Sequence, residues 1–130
     1  MKELFNVVVM NVAGIITHRE TKYCVCISTS RNKYLLINTE HRAMYDDFEI
    51  KAENYSWLNN KNRFIACSVI YSIEPEMMVQ TVGKLIIEDI KKIIEKIKKS
   101  RTISKIDKNS VLPELEHQGN FVQISNPNET

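Results

Sequence analysis

The stretch from Thr81 to Lys105, TVGKLIIEDIKKIIEKIKKSRTISK, constrains the fold more than any other part of the chain. Its apolar residues Leu85, Ile86, Ile90, Ile93, Ile94 and Ile97 recur at three- and four-residue steps, which places them in one stripe on a helix. Lys91, Lys92, Lys96, Lys98, Lys99 and Arg101 load the other side and the helix end with positive charge. The spacing predicts a helix from about Leu85 to Ser100 whose stripe is buried. The segments before it carry the two-residue period of strands. The chain therefore reads as mainly β with a C-terminal α-helix.

At 130 residues the chain holds one domain with one modest core. The net charge of +2 excludes nothing by itself, but its distribution is uneven. Between Lys91 and Lys108 there are eight Lys or Arg against two acids, Glu95 and Asp107. After Lys108 there is no Lys or Arg, only Glu114, Glu116 and Glu129. A basic segment followed by a weakly acidic one either binds an acidic partner or folds back on itself. The three cysteines, Cys24, Cys26 and Cys67, are an odd count without metal-ligand spacing, so buried, reduced, structural thiols are expected, with no metal and no cofactor. The opening MKELFNVVVMNVAGII is apolar but broken by Asn6, Asn11 and Gly14, which predicts a strand rather than a signal peptide. No run approaches the ~20 apolar residues of a membrane span, so a cytoplasmic protein without membrane contact is expected.

Strands are predicted over Leu4 to Met10, Tyr23 to Ser28, Lys33 to Asn38, Phe48 to Lys51 and Arg63 to Ser72, the last the longest. The Val-rich first strand suits burial on both faces or a barrel seam. Ser30-Arg31-Asn32 is a plausible hairpin turn, because Asn tolerates turn geometry. Trp57 and Leu58 are expected to plug the core, and Trp57, Phe48, Phe64 and Tyr71 read as core rather than base-stacking residues. Pro75 limits helix before the final one, and Gly83 marks a break. Short strands and few glycines favour a small coiled barrel over a flat sheet. Residues 1–106 form the folded unit. Residues 107–130, with Pro113, Gly119 and Pro127, read as an extended or disordered tail, in which FVQI at 121–124 is a candidate edge strand on a partner.

Read in order, YCVCIS, KYLLINTEHR, RFIACSVIYSI, and VGKL followed by the amphipathic helix and KSRTIS resemble the MazF/PemK type of toxin, over about residues 6–104. The resemblance implies an SH3-like β-barrel with a C-terminal helix, a homodimer, metal-independent cleavage of single-stranded RNA, and inhibition by an antitoxin protein. It also exposes departures. Where relatives carry Arg-Pro at the start of the second strand, with the Arg stabilising charge at the scissile phosphate, this chain has Lys22-Tyr23. Lysine keeps the charge but not the planar fork. The threonine after the third strand has its match in Thr39. Cys67 and Ser68 stand where many relatives have an acid, and Phe5-Asn6 replaces a glycine-acid opening.

Metal-free RNA cleavage needs a base for the 2′-hydroxyl, an acid for the leaving 5′-oxygen and a cation beside the phosphate. Two loops supply such groups: His18, Arg19 and Lys22 in one, Thr39, His41 and Arg42 in the other. The candidate catalytic residues are Lys22, Thr39, Arg42, His18 and His41, with a histidine moving protons. Arg19, Lys98, Lys99 and Arg101 are candidate contacts to the RNA backbone, although the helix lysines also suit a solvated face and a helix C-terminus. The plain alternative is that THRETK and TEHR are ordinary solvated loops. On that view the chain is a catalytically decayed barrel binding a protein or nucleic acid. Asp46, Asp47 and Glu49 do not make a metal site.

Overall fold

In a computed structural model of the chain, residues 3–16 and 20–124 are described, with side chains as far as residue 117. Seven strands form one antiparallel sheet: β1 (Asn6–Asn11), β2 (Thr21–Ser28), β3 (Lys33–Asn38), β4 (Phe48–Ile50), β5 (Arg63–Ile65), β6 (Tyr71–Ser72) and β7 (Met78–Lys84). Two helices follow, α1 (Ile87–Lys99) and α2 (Lys105–Ile124). The hydrogen-bonded order is β4-β5-β3-β2-β1-β7, and β6 adds to β3. The sheet is thus open. β4 and β7 end the path, and among the described residues no ladder joins them. The mainly β architecture with a C-terminal helix is as the sequence predicts.

The three central strands are buried on both faces, as the Val-rich β1 led one to expect. On β2 the residues Tyr23, Val25 and Ile27 face one side, and Cys24 and Cys26 the other. The first side joins Val7, Leu35, Ile37 and Ile65 to the stripe of α1, where Ile90, Ile93, Ile94 and Ile97 are all buried. The second side is a smaller core of Val8, Met10, Val12, Tyr34, Leu36 and Ile73 with the two thiols. All three cysteines are free and buried. Burial pushes the Cys24 and Cys67 thiols up to about 12, so both stay protonated and unreactive.

Local geometry follows local chemistry. The β2–β3 hairpin turns through Asn32 at φ 56°, the conformation Asn tolerates. Phe5 also lies in the left-handed region, at φ 63°, and its fully buried ring holds it there. Gly83 sits in β7 rather than at a break: a Cβ there would lie 2.7 Å from Trp57 Nε1, so the indole occupies the space a side chain would need. The start of α1 is tied to the loop before β5 by Tyr55, whose hydroxyl donates to the Asp89 carboxylate and accepts from Ile86 N–H at 3.1 Å.

Three sequence expectations are corrected. Residues 63–72 are not one long strand, because Ala66 N–H bonds Leu36 O at 2.9 Å and Cys67 and Ser68 N–H both bond Tyr45 O at 3.0 Å, which diverts the chain between β5 and β6. Gly83, expected to mark a break before the final helix, instead lies within edge strand β7, which pairs with β1. Residues 107–124 of the segment expected to be an extended or disordered tail are helical, as part of α2, so the FVQI strand is not found; residues 125–130 lie outside the described residues. Helix α2 docks through Val111 and Leu115, both fully buried, with Ile103 just before it. Glu114 then anchors it to the β2–β3 turn, accepting from Ser28 Oγ at 2.9 Å, Thr29 N–H at 3.1 Å, Thr29 Oγ1 at 2.6 Å and Ser30 Oγ at 3.2 Å. The acidic segment does fold back on the basic one: Lys98 Nζ meets Glu116 Oε1 at 3.0 Å.

Candidate functional site

The meander β1-β2-β3 dictates where polar residues can gather. Cys24 pairs with Leu36 and strands β2 and β3 run antiparallel, so the start of β2 and the end of β3 lie at the same edge of the sheet. Lys22 is near that start, and Thr39 directly follows that end. An open pocket of about 660 Å³ forms there. Its lining includes Lys22 and Tyr23 of β2, Leu36 and Asn38 of β3, Thr39, Glu40, Arg42 and Tyr45 of the following loop, and Arg63 of β5. The diverted segment before β6 closes one wall with Ala66 and Val69, and Tyr71 of β6 completes it.

Three of the residues nominated from sequence, Lys22, Thr39 and Arg42, therefore line one pocket. Arg42 is held in two ways. Its backbone N–H donates to Asp47 Oδ2 at 2.7 Å, and its guanidinium lies 3.7 Å from Glu40 Oε2. His41 is turned elsewhere. It is outside the lining, its Nδ1 is 2.6 Å from Asp47 Oδ1, and its ring lies 5.7 Å from that of Phe64. The Asp47 side chain is only 1% exposed, so its carboxylate is committed to organising this loop. Asp46, at φ 45°, makes the turn that allows it. His18 and Arg19 lie outside the described residues.

The helix cations are not part of this pocket. Lys99 pairs with Glu95 at 2.6 Å and Lys98 with Glu116, while Arg101 is exposed beyond the end of α1. Positive charge in the last turn of α1 complements the helix dipole, which accounts for their position without a ligand.

Sequence reasoning missed two lining residues that carry charge. Glu40 brings a carboxylate into the pocket. Arg63 brings a guanidinium, with its Cζ 5.2 Å from the centroid of the Tyr23 ring. A lone Arg at the first position of a strand carries no signal of its own; the pairing with Tyr23 exists only in the fold. With Lys22, Arg42 and Arg63 against Glu40, the lining favours an anionic ligand, and the tyrosines Tyr23, Tyr45 and Tyr71 give it flat apolar surface. Among the described residues no grouping of three or more His, Cys, Asp or Glu could hold a metal ion. Likewise among them, no helix is long and apolar enough to cross a membrane. In comparisons with known proteins, the chain matches no family model and no curated protein.

Proposed function

We propose that the chain is a MazF/PemK-like toxin: an endoribonuclease that cuts single-stranded RNA without a metal, built on an SH3-like β-barrel plan and restrained by an antitoxin protein. It would act in the cytoplasm as a homodimer; the exposed edge strand β7, with Val79 60% exposed, offers backbone for pairing. The observation that supports the reading is the shared pocket of Lys22, Thr39 and Arg42, three groups nominated from the sequence together with its resemblance to that family.

In such a cleavage the 2′-hydroxyl oxygen attacks the adjacent phosphorus as its proton leaves to a base. A 2′,3′-cyclic phosphate forms, the bond from phosphorus to the 5′-oxygen breaks, and that oxygen takes up a proton. Lys22 and Arg42 meet the charge that grows on the non-bridging oxygens, Thr39 orients the substrate, and Glu40 is the lining carboxylate that accepts the 2′-hydroxyl proton. His41, which lies between two lining residues in sequence, would return the proton to the leaving oxygen; His18, the other histidine nominated for that role, lies outside the described residues.

One observation favours a second reading. His41 is bound to Asp47 away from the pocket, which suits a decayed barrel that binds a protein or nucleic acid without cutting. Expression of the chain in a bacterium separates the two. Growth arrest with fragmented RNA is expected for the endoribonuclease, whereas normal growth with intact RNA sinks it.

A further inference from the structure

We propose that Arg63 and Tyr23 form a phosphodiester-binding subsite in this pocket, with the guanidinium gripping a backbone phosphate of single-stranded RNA. The inference rests on the reading of the pocket as an RNA site and names the group that holds the strand there. Three observations carry it.

The first is geometry. Arg63 Cζ lies 5.2 Å from the Tyr23 ring centroid. The Tyr23 ring is itself braced edge-on by Trp57, at 5.5 Å between centroids and 83° between planes. A guanidinium held on a braced ring is oriented before any ligand arrives, so little freedom is lost when its fork closes on two phosphate oxygens. The second is charge. Arg42 has the Glu40 carboxylate within 3.7 Å, whereas no carboxylate of the described residues comes within ion-pair distance of Arg63. Arg63 is therefore the lining guanidinium whose charge is left for a ligand. The third is chemistry. Lys22 offers a point charge at the start of β2, where a planar fork would bind two oxygens at once, and Arg63 supplies that fork from β5 into the same pocket.

A purely structural Arg63 would merely cover Tyr23, and binding measurements tell the two apart. The probe is a short fluorescently labelled 2′-O-methyl RNA, which has no attacking hydroxyl and stays intact, titrated by anisotropy across a series of salt concentrations. Arg63→Gln is expected to weaken binding about 10-fold and to flatten the plot of log K against log salt by about 0.7, the loss of one phosphate contact to a single strand. Arg63→Lys is expected to keep the salt slope while binding less tightly than the wild type, because charge is retained without the fork. Lys91→Gln on the exposed face of α1 leaves both unchanged. If Arg63→Gln, shown folded by its circular dichroism, binds with wild-type affinity and slope, the subsite is wrong. Should that variant fail to fold, Arg63→Lys with wild-type affinity overturns it equally. A wild type that binds the probe in this Arg63-dependent way but never cuts natural RNA removes the nuclease reading and leaves the subsite standing. A wild type that does not bind overturns both.

Discussion

The two faces of the central strands do different work with the same backbone. Val25 and Ile27 of β2 look into a core closed by α1 and α2, and Cys24 and Cys26, one residue out of phase, look into the smaller core, whereas Lys22 and Tyr23 at the start of the strand both line the pocket. The helix-covered face is apolar almost throughout and holds the chain together. The pocket face is apolar only as far as Leu36, beyond which Asn38, Thr39 and Arg42 take over. Along β2 the buried middle thus serves the two cores, by its period of two, while the start of the strand serves the pocket. Substitutions on the first face should unfold the protein, and those at the pocket should leave it folded and empty it of function.

The sharpest break of that division is Ile93→Asp. Ile93 is fully buried beneath the sheet, so a carboxylate there should cost about 4 kcal/mol or more. Urea unfolding would show it, and an unchanged midpoint would mean that the stripe of α1 is not the core. Next comes Leu115→Ala, expected to cost about 3 kcal/mol by opening a cavity under α2. No shift in the melting temperature would detach α2 from the folded unit. Gly83→Ala should cost about 2 kcal/mol, since its Cβ would meet Trp57 Nε1 at 2.7 Å and the indole must move. The single tryptophan makes its emission spectrum a direct readout, and a spectrum and stability equal to wild type would refute the close approach.

The smallest effect is at Glu114. Burial works to raise its carboxyl, but the hydrogen bonds from Thr29, Ser28 and Ser30 outweigh that and hold it below the usual range. A carboxyl lowered by folding stabilises the native state above its unfolded value, and the contribution is lost as pH falls through the folded one. Glu114→Gln should therefore cost about 1 kcal/mol near neutral pH and progressively less in acid. A difference from wild type that stays constant down to the acid limb would remove the charged anchor.

Much of this division is legible in the amino-acid pattern alone. The isoleucines of α1 and the run KYLLIN of β3 are regular because a buried face imposes its period on them. Regularity fails where burial is partial. In α2, among the residues whose side chains are described, Val111, Leu112 and Leu115 pack inward, Ile106 is 81% exposed and Pro113 sits inside the helix, so no helical period stands out in that part of the sequence. β7 is an edge strand with Val79 outward, and its backbone pairing with β1 leaves no alternation to read. At the pocket, Lys22 and Thr39 are legible because strand register alone brings them to one edge. Arg63 is not, because its place depends on a ring from β2 that only folding brings beneath it. His41 looks catalytic from its neighbours, yet Asp47 draws it away from the lining.

The proposed nuclease activity would be seated in the pocket at the start of β2 and the end of β3. The direct measurement is a cleavage assay on single-stranded RNA in EDTA with wild type, Lys22→Ala and Arg42→Ala, each confirmed to melt as a folded protein. Wild type is expected to cut and each variant to be slower by ~10²-fold or more, the usual loss when a group that stabilises transition-state charge is removed. Wild-type protein that leaves the RNA intact, or folded variants that cut as fast as wild type, would contradict it.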